Sequence, residues 1–401
     1  MAATHYRELA GRSTGYYALL AALGVLIAAG LGAAWMMDHH GHAVTGMSNR
    51  VVWGMPHVFA IFLIVAASGA LNVASIASVF GRELYKPLAR LSGLLAITLL
   101  AGGLAVLVLD LGRPDRLIVA MTHYNFKSVF AWNVVLYSGF LAVVAVYLWT
   151  MFERRMNRHT KSVGLVAFLW RLVLTTGTGS IFGFLVAREP WNSALLAPLF
   201  IVMSFSFGLA VFILVLMAAC AGGGRALGEA LLQRLAKLLG VFAAAVLYFV
   251  AVYHLTNLYV ARQHEVERFF LWDGSIYPAL FWLGQILIGS VLPLVLLFAP
   301  AFRGSRPALA AAAGGVIAGG FAQIYVLIIG GQAYPQQMFP GKDISSRFFD
   351  GVVASYTPSL PEVLLGLGGS ALALALTLLA LKLLPFLPQS LADSETGAAV
   401  A

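Results

Sequence analysis

An all-α, polytopic membrane protein with about ten spanning helices is the fold class that this sequence predicts. Three observations carry the prediction. Only 10% of the 401 residues are charged, while 61% are hydrophobic. The mean hydropathy is +0.89. Apolar stretches of the ~20 residues needed to cross a bilayer recur from one end of the chain to the other. In hydrocarbon, backbone polar groups must bond within their own segment, so these stretches are read as helices.

The spans fall at 15–37, 54–79, 88–111, 128–152, 164–187, 194–220, 236–261, 276–300, 308–330 and 362–386. The first has an apolar part too long for a signal-peptide core and no small-residue cleavage site after it. The second opens with Val52-Trp53-Gly54-Met55-Pro56-His57. The third ends at Asp110, where Gly112 and Pro114 stop the helix. Asn125, Ser128, Trp132 and Asn133 open the fourth, and Arg171 with Thr175, Thr176, Thr178 and Ser180 marks the fifth. Trp191…Pro198 opens the sixth much as Trp53…Pro56 opens the second, so two four-helix bundles plus flanking helices are expected. The seventh carries Tyr253, His254, Asn257, Tyr259 and Arg262, and the eighth has Gln285 in mid-span. The ninth is rich in Ala and Gly, as suits close helix packing. Pro358 and Pro361 set the start of the tenth. Residues 1–387 thus form one membrane domain, and 388–401 read as a short disordered tail.

An even number of spans puts both termini on one side. That side collects 15 of the 25 Lys and Arg residues, the other side 9, and Arg171 stays within a span. The positive-inside rule makes the terminus-bearing side cytoplasmic, in a cytoplasmic (inner) membrane. The net charge of +9 then records topology; no basic groove with interleaved aromatics points to nucleic acid. The single cysteine, Cys220, excludes disulfides, cysteine-ligated clusters and c-type haem attachment within this chain.

Asp110 is the centre of interest, because an ionisable group at a membrane helix end is a functional candidate by default. His57 starts the preceding helix of the same hairpin, so both lie at one, outer level. Histidine and carboxylate exchange protons readily, as the carbonyl oxygens of a quinone require. Simpler readings stand beside this one: His57 as a helix-start group, and Asp110 in an ion pair with Arg113 or Arg116. Tyr253 and His254 head for the same level and form a second candidate group. Gln332, Tyr334, Gln336 and Gln337 follow the ninth span as a candidate lid. The turn Asp38-His39-His40-x-His42 has metal-ligand residue types, but an exposed turn of this kind is read as solvated. Arg171 is read as snorkelling to the cytoplasmic interface.

The Trp53-Gly54 helix start, the Asp110-Leu-Gly-Arg113-Pro114 turn, Asn125-x-x-Ser128 and the Tyr356-x-Pro358-Ser359-Leu360-Pro361-Glu362 stretch together resemble the NrfD/PsrC family. Its members are membrane subunits of respiratory oxidoreductases. Residues 56–80 and 86–121 resemble its DsrP branch, tied to dissimilatory sulfite reductase and sulfur metabolism. The resemblance implies a quinone (menaquinone or ubiquinone) bound non-covalently near the outer face, with no haem or iron–sulfur cluster in this chain. It also implies partners: a periplasmic ferredoxin-like iron–sulfur subunit, a periplasmic multihaem cytochrome c and other Dsr membrane subunits. Carried onto this sequence, His57 and Asp110 would exchange protons with the quinone. Arg113 would tune Asp110, and Tyr253 and His254 would stand in second line. Where some members hold a quinone-site histidine inside a membrane helix, the aligned stretch here reads Ala66-Ala67-Ser68-Gly69; His57 is assigned from position. The competing classes are a membrane transporter, a b-type cytochrome using His57 and His254, and a structural anchor.

Overall fold

The computed structural model describes residues 5–336 and 351–396. Among them, ten helices are long and apolar enough to cross a membrane. These are α1 (Thr14–His40), α2 (Met55–Ser78), α3 (Glu83–Leu109), α4 (Val129–Phe152), α5 (Arg154–Gly183), α6 (Leu196–Gly222), α7 (Glu229–Tyr259), α8 (Ile276–Phe298), α9 (Arg306–Ala333) and α10 (Leu360–Leu383). Each matches one expected span, with ends shifted by a few residues, or by up to ten where a helix continues into the interface.

Helices α2 to α5 pack as one four-helix bundle and α6 to α9 as a second, with α6 lying against both α2 and α5. The flanking pair α1 and α10 run together, and α10 rests on α2 and α3. Helix α2 is the hub, with 89% of its most apolar window buried against the protein. Its crossing with α6 depends on two glycines. A methyl group on Gly69 would overlap the Ser204 carbonyl, and one on Gly208 would overlap the backbone of Gly69 and Ala70.

Arg171 does not snorkel. It is fully buried on α5, against the point where α2 is interrupted at Leu71. Its guanidinium donates to Asn72 Oδ1 at 2.9 Å and to the Ser68 carbonyl at 3.4 Å. The rings of Phe205 and Phe168 lie 4.8 and 5.1 Å from its charge. The break in α2 frees backbone carbonyls, and a donor-rich side chain from the next helix takes them up. Its Nε has no partner, and no carboxylate pairs with it among the described residues. An unpaired buried charge costs stability. Arg171→Gln, which removes the charge and keeps an N–H donor, is therefore expected to raise thermal stability in detergent by about 1 kcal/mol. A lower melting midpoint would show that the charge itself holds the break in α2.

At the terminus-bearing face, Tyr6–Arg7 (β1) pairs antiparallel with Leu387–Pro388 (β2). Arg225 braces the pair by donating to the carbonyls of Arg7, Glu8, Leu387 and Pro388. Leu391 bridges to Leu227, and Asp393 Oδ2 accepts from the N–H groups of Glu229 and Ala230 at the start of α7. The stretch 388–393 is thus docked, which corrects the expectation of a disordered tail there. The sequence reading missed that β-pairing and helix capping satisfy its polar backbone.

Candidate functional site

Gly112 and Pro114 end α3, so Asp110 becomes its C-cap, the N–H bonded back to the Val106 carbonyl. Pro56 occupies the first turn of α2, where its missing N–H goes unneeded, and His57 follows it. The hairpin brings the two side chains together at the face opposite the termini. His57 Nδ1 lies 3.0 Å from Asp110 Oδ2, with the His57 side chain 24% exposed and that of Asp110 2%. The imidazole thus stands between the carboxylate and the exterior. The contact is electrostatic, since the Nδ1 geometry does not align for a hydrogen bond, and Asp110 Oδ1 is buried with no partner. A buried oxygen left unsatisfied costs ~1–3 kcal/mol, more when charged, so native proteins retain one for a reason.

An aromatic wall backs the pair. The Trp53 ring stacks on His57 at 5.9 Å and on Trp191 at 5.5 Å, joining the openings of the two bundles. Phe130 and Phe182 pack on its edges. Gln332, buried after the bend of α9, holds this helix start by its backbone. Its Oε1 accepts from the N–H groups of Val52 and Trp53, and its Nε2 donates to the Trp53 carbonyl. Gln336 donates to the Ala187 carbonyl; Gln337 lies outside the described residues.

The Tyr356–Glu362 stretch is a second brace. Ser359 and Glu362 form a capping box for α10, and the Tyr356 hydroxyl donates to Glu362 Oε1 while accepting from the Met55 N–H. Burial and the Glu362 carboxylate push the Tyr356 phenol well above its ordinary range, so it stays a donor. Four residue types that the sequence left open are capping or packing groups. Asn125 accepts from the Lys127 N–H, Ser128 caps α4, Trp132 bonds the Phe126 carbonyl and Asn133 bonds Val129 and Gly177.

Arg113 is not Asp110's partner. It is exposed and makes a two-point contact with Asp115, at 3.0 and 2.9 Å, whose carboxyl it holds below the ordinary range chiefly through that hydrogen bond. The three-residue turn at Pro114–Arg116 brings the carboxylate two positions along within reach of Arg113, which corrects the expectation that Arg113 tunes Asp110.

The second group of candidates acquires a residue that sequence reading missed. Glu267, fully buried on the short helix His264–Leu271, approaches His254 Nδ1 to 2.6 Å and accepts from Asn257 Nδ2 at 2.8 Å. Its signal was a lone carboxylate facing inward among Val266, Phe269 and Phe270. Tyr253 donates to the Pro190 carbonyl at 2.6 Å. Tyr253 and His254 line a cavity of ≈ 50 Å³ with Trp191, Gln285 and Gln323. That is room for a few waters at ~30 Å³ each, not for a ring system. The outer turn at Asp38–His42 gathers no metal-binding cluster among the described residues.

The sequence profile described as "Polysulphide reductase, NrfD" matches residues 43–336. The chain belongs to the NrfD family. All five candidate residues of this NrfD protein, and Glu267, fall inside the matched segment; the flanking α10 and its capping box lie beyond it. It is 30% identical to an "Hdr-like menaquinol oxidoreductase integral membrane subunit" of Archaeoglobus fulgidus, over 96% of this sequence and 98% of that one. It is 27% identical to a putative dimethyl sulfoxide reductase membrane subunit of Halobacterium salinarum, covering 91% and 90%. Similarity to one of the polysulfide reductase chains of Wolinella succinogenes is 25%, over 62% of this sequence and 83% of the relative. These NrfD relatives are named as membrane subunits or chains of reductases and oxidoreductases.

Proposed function

We propose that this protein is the quinone-interacting membrane subunit of a respiratory electron-transfer complex, with its site at His57 and Asp110. The carrying observation is the buried, unpartnered Asp110 Oδ1 beside a half-buried imidazole. A buried acceptor without a donor suits a ligand that brings a proton or a hydroxyl, and a quinone supplies two-electron, two-proton redox chemistry when bound. In this reading His57 passes a proton between the exterior and the site, and Asp110 holds or receives it at Oδ1. Trp53 offers the apolar wall against which a flat ring packs. Arg113, tied to Asp115, screens the rim of the site; His254 with Glu267 and Tyr253 form a water-sized reserve across the indole pair.

The far face is taken as periplasmic, on the positive-inside bias, and both termini as cytoplasmic. A ferredoxin-like iron–sulfur subunit would dock there and exchange electrons with the quinone, alongside a multihaem cytochrome c and other membrane subunits of a Dsr-type complex in sulfur metabolism. The Archaeoglobus relative's name supports menaquinone over ubiquinone. The test is to purify the complex, extract its quinone and compare His57→Ala. Wild type is expected to retain quinone and the variant to lose it about tenfold, as removal of one ~1.4 kcal/mol contact implies. Full retention would move the site away from His57.

A further inference from the structure

The largest cavity described has no part in the proposed redox site. It measures ≈ 900 Å³ and opens at the terminus-bearing face, between α1 and α10 on one side and α6 and α9 on the other. That is near the upper end of ligand pockets, ~300–1,000 Å³. Its lip is formed by Arg12, Ser13 and Tyr16, and its inner walls by side chains such as Phe62, Leu99, Leu214 and Phe321. Phe321 lies 15 residues beyond Arg306 on α9, roughly 22 Å along the helix. The half-thickness of a bilayer core is ~15 Å. The space is therefore long, apolar and open at one end, the shape of lipid chains. Apolar walls exclude water as its filling.

Charge selects among lipids. Arg12 is exposed at the lip and makes no hydrogen bond or ion pair among the described residues. Lys382 is poised beside it, its ammonium on the Tyr17 hydroxyl at 3.2 Å and over the Tyr16 and Tyr17 rings. Basic pockets between membrane helices at such a face take acidic headgroups. At the far end, a packed cluster of Ala34, Met37, Ala60, Val106 and Leu365 lies beneath Asp110 on the same four helices. That layer leaves no path for a quinone tail from Asp110 into the cavity.

We propose that this cavity holds the acyl chains of a phospholipid whose anionic headgroup is bound by Arg12 and Lys382. The lipid fills the gap between the flanking helix pair and the two bundles, and it is held through purification rather than exchanged with the bulk membrane. The proposal stands apart from the quinone site.

The test is lipid extraction and native mass spectrometry of the purified full-length protein after extensive detergent exchange. Wild type is expected to keep an anionic phospholipid enriched over the membrane from which it came. The exposed pair Arg12→Ala with Lys382→Ala is expected to lower that retention about tenfold. Ser370→Trp, which fills the cavity from α10, is expected to abolish it. Should Ser370→Trp fail to fold, the surface pair still decides. Bound lipid that mirrors the bulk membrane and ignores the charge variants overturns the proposal, as does quinone recovered from the cavity, displaced by Ser370→Trp.

Discussion

Asp110→Asn is expected to lower quinone-linked turnover of the complex by about 10²–10⁴-fold, the range lost with a proton-transfer group, at wild-type abundance in the membrane. The substitution is isosteric and keeps an oxygen facing His57, so the 3.0 Å approach survives. What disappears is a group able to take a proton and release it. Stability is not expected to fall, because the carboxylate already has one buried oxygen without a donor and its neutral replacement removes a buried charge. Turnover is assayed with a soluble quinol analogue and an artificial acceptor, and abundance by immunoblot of membranes. Wild-type turnover in Asp110→Asn would remove this carboxylate from the chemistry. If Glu267→Gln then collapsed the rate, the second bundle would hold the site instead.

The fold was legible because hydropathy alone sets a membrane helix, and each of the ten spans has its helix. The meeting of His57 and Asp110 was legible for a related reason: the start of one membrane helix and the end of the next must share a level. Three residues escaped. Arg171 was assigned to the interface, since a sequence does not reveal that α2 breaks at Leu71 and that Asn72 and Ser68 offer acceptors across the gap. Arg113 was given to the nearest membrane carboxylate, but the tight turn at Pro114 made Asp115 its partner. Glu267 sat in a connection read as solvent-facing, and only the tertiary fold turns it onto His254. Where hydropathy governs, the sequence is readable; where one polar side chain meets another across helices, the partner is fixed by packing angles that no short window encodes.

Gly208→Leu is expected to remove nearly all folded protein from the membrane. Membrane helices associate through close packing, without a hydrophobic gain over lipid, so a crossing that depends on two glycines has little to replace it. At this crossing the obstacles are backbone: the Gly69 and Ala70 main chain faces Gly208, and the Ser204 carbonyl faces Gly69. Overpacking against side chains costs ~1–3 kcal/mol because they shift; a main chain in mid-helix moves only with its helix, and the cost exceeds that range. Separation of α2 from α6 would pull apart the stacked Phe62 and Phe207 rings. It would also strain the Trp53–Trp191 stack above, the wall behind His57. Gly24→Leu is the control, because a side chain there meets nothing within 4 Å. Size-exclusion profiles of detergent extracts should show a folded peak for Gly24→Leu and none for Gly208→Leu, with Gly208→Ala between them. A normal peak for Gly208→Leu would mean that the bundles are joined elsewhere. The indole pair would then owe its stacking to Gln332 and the loops around it rather than to the helices below.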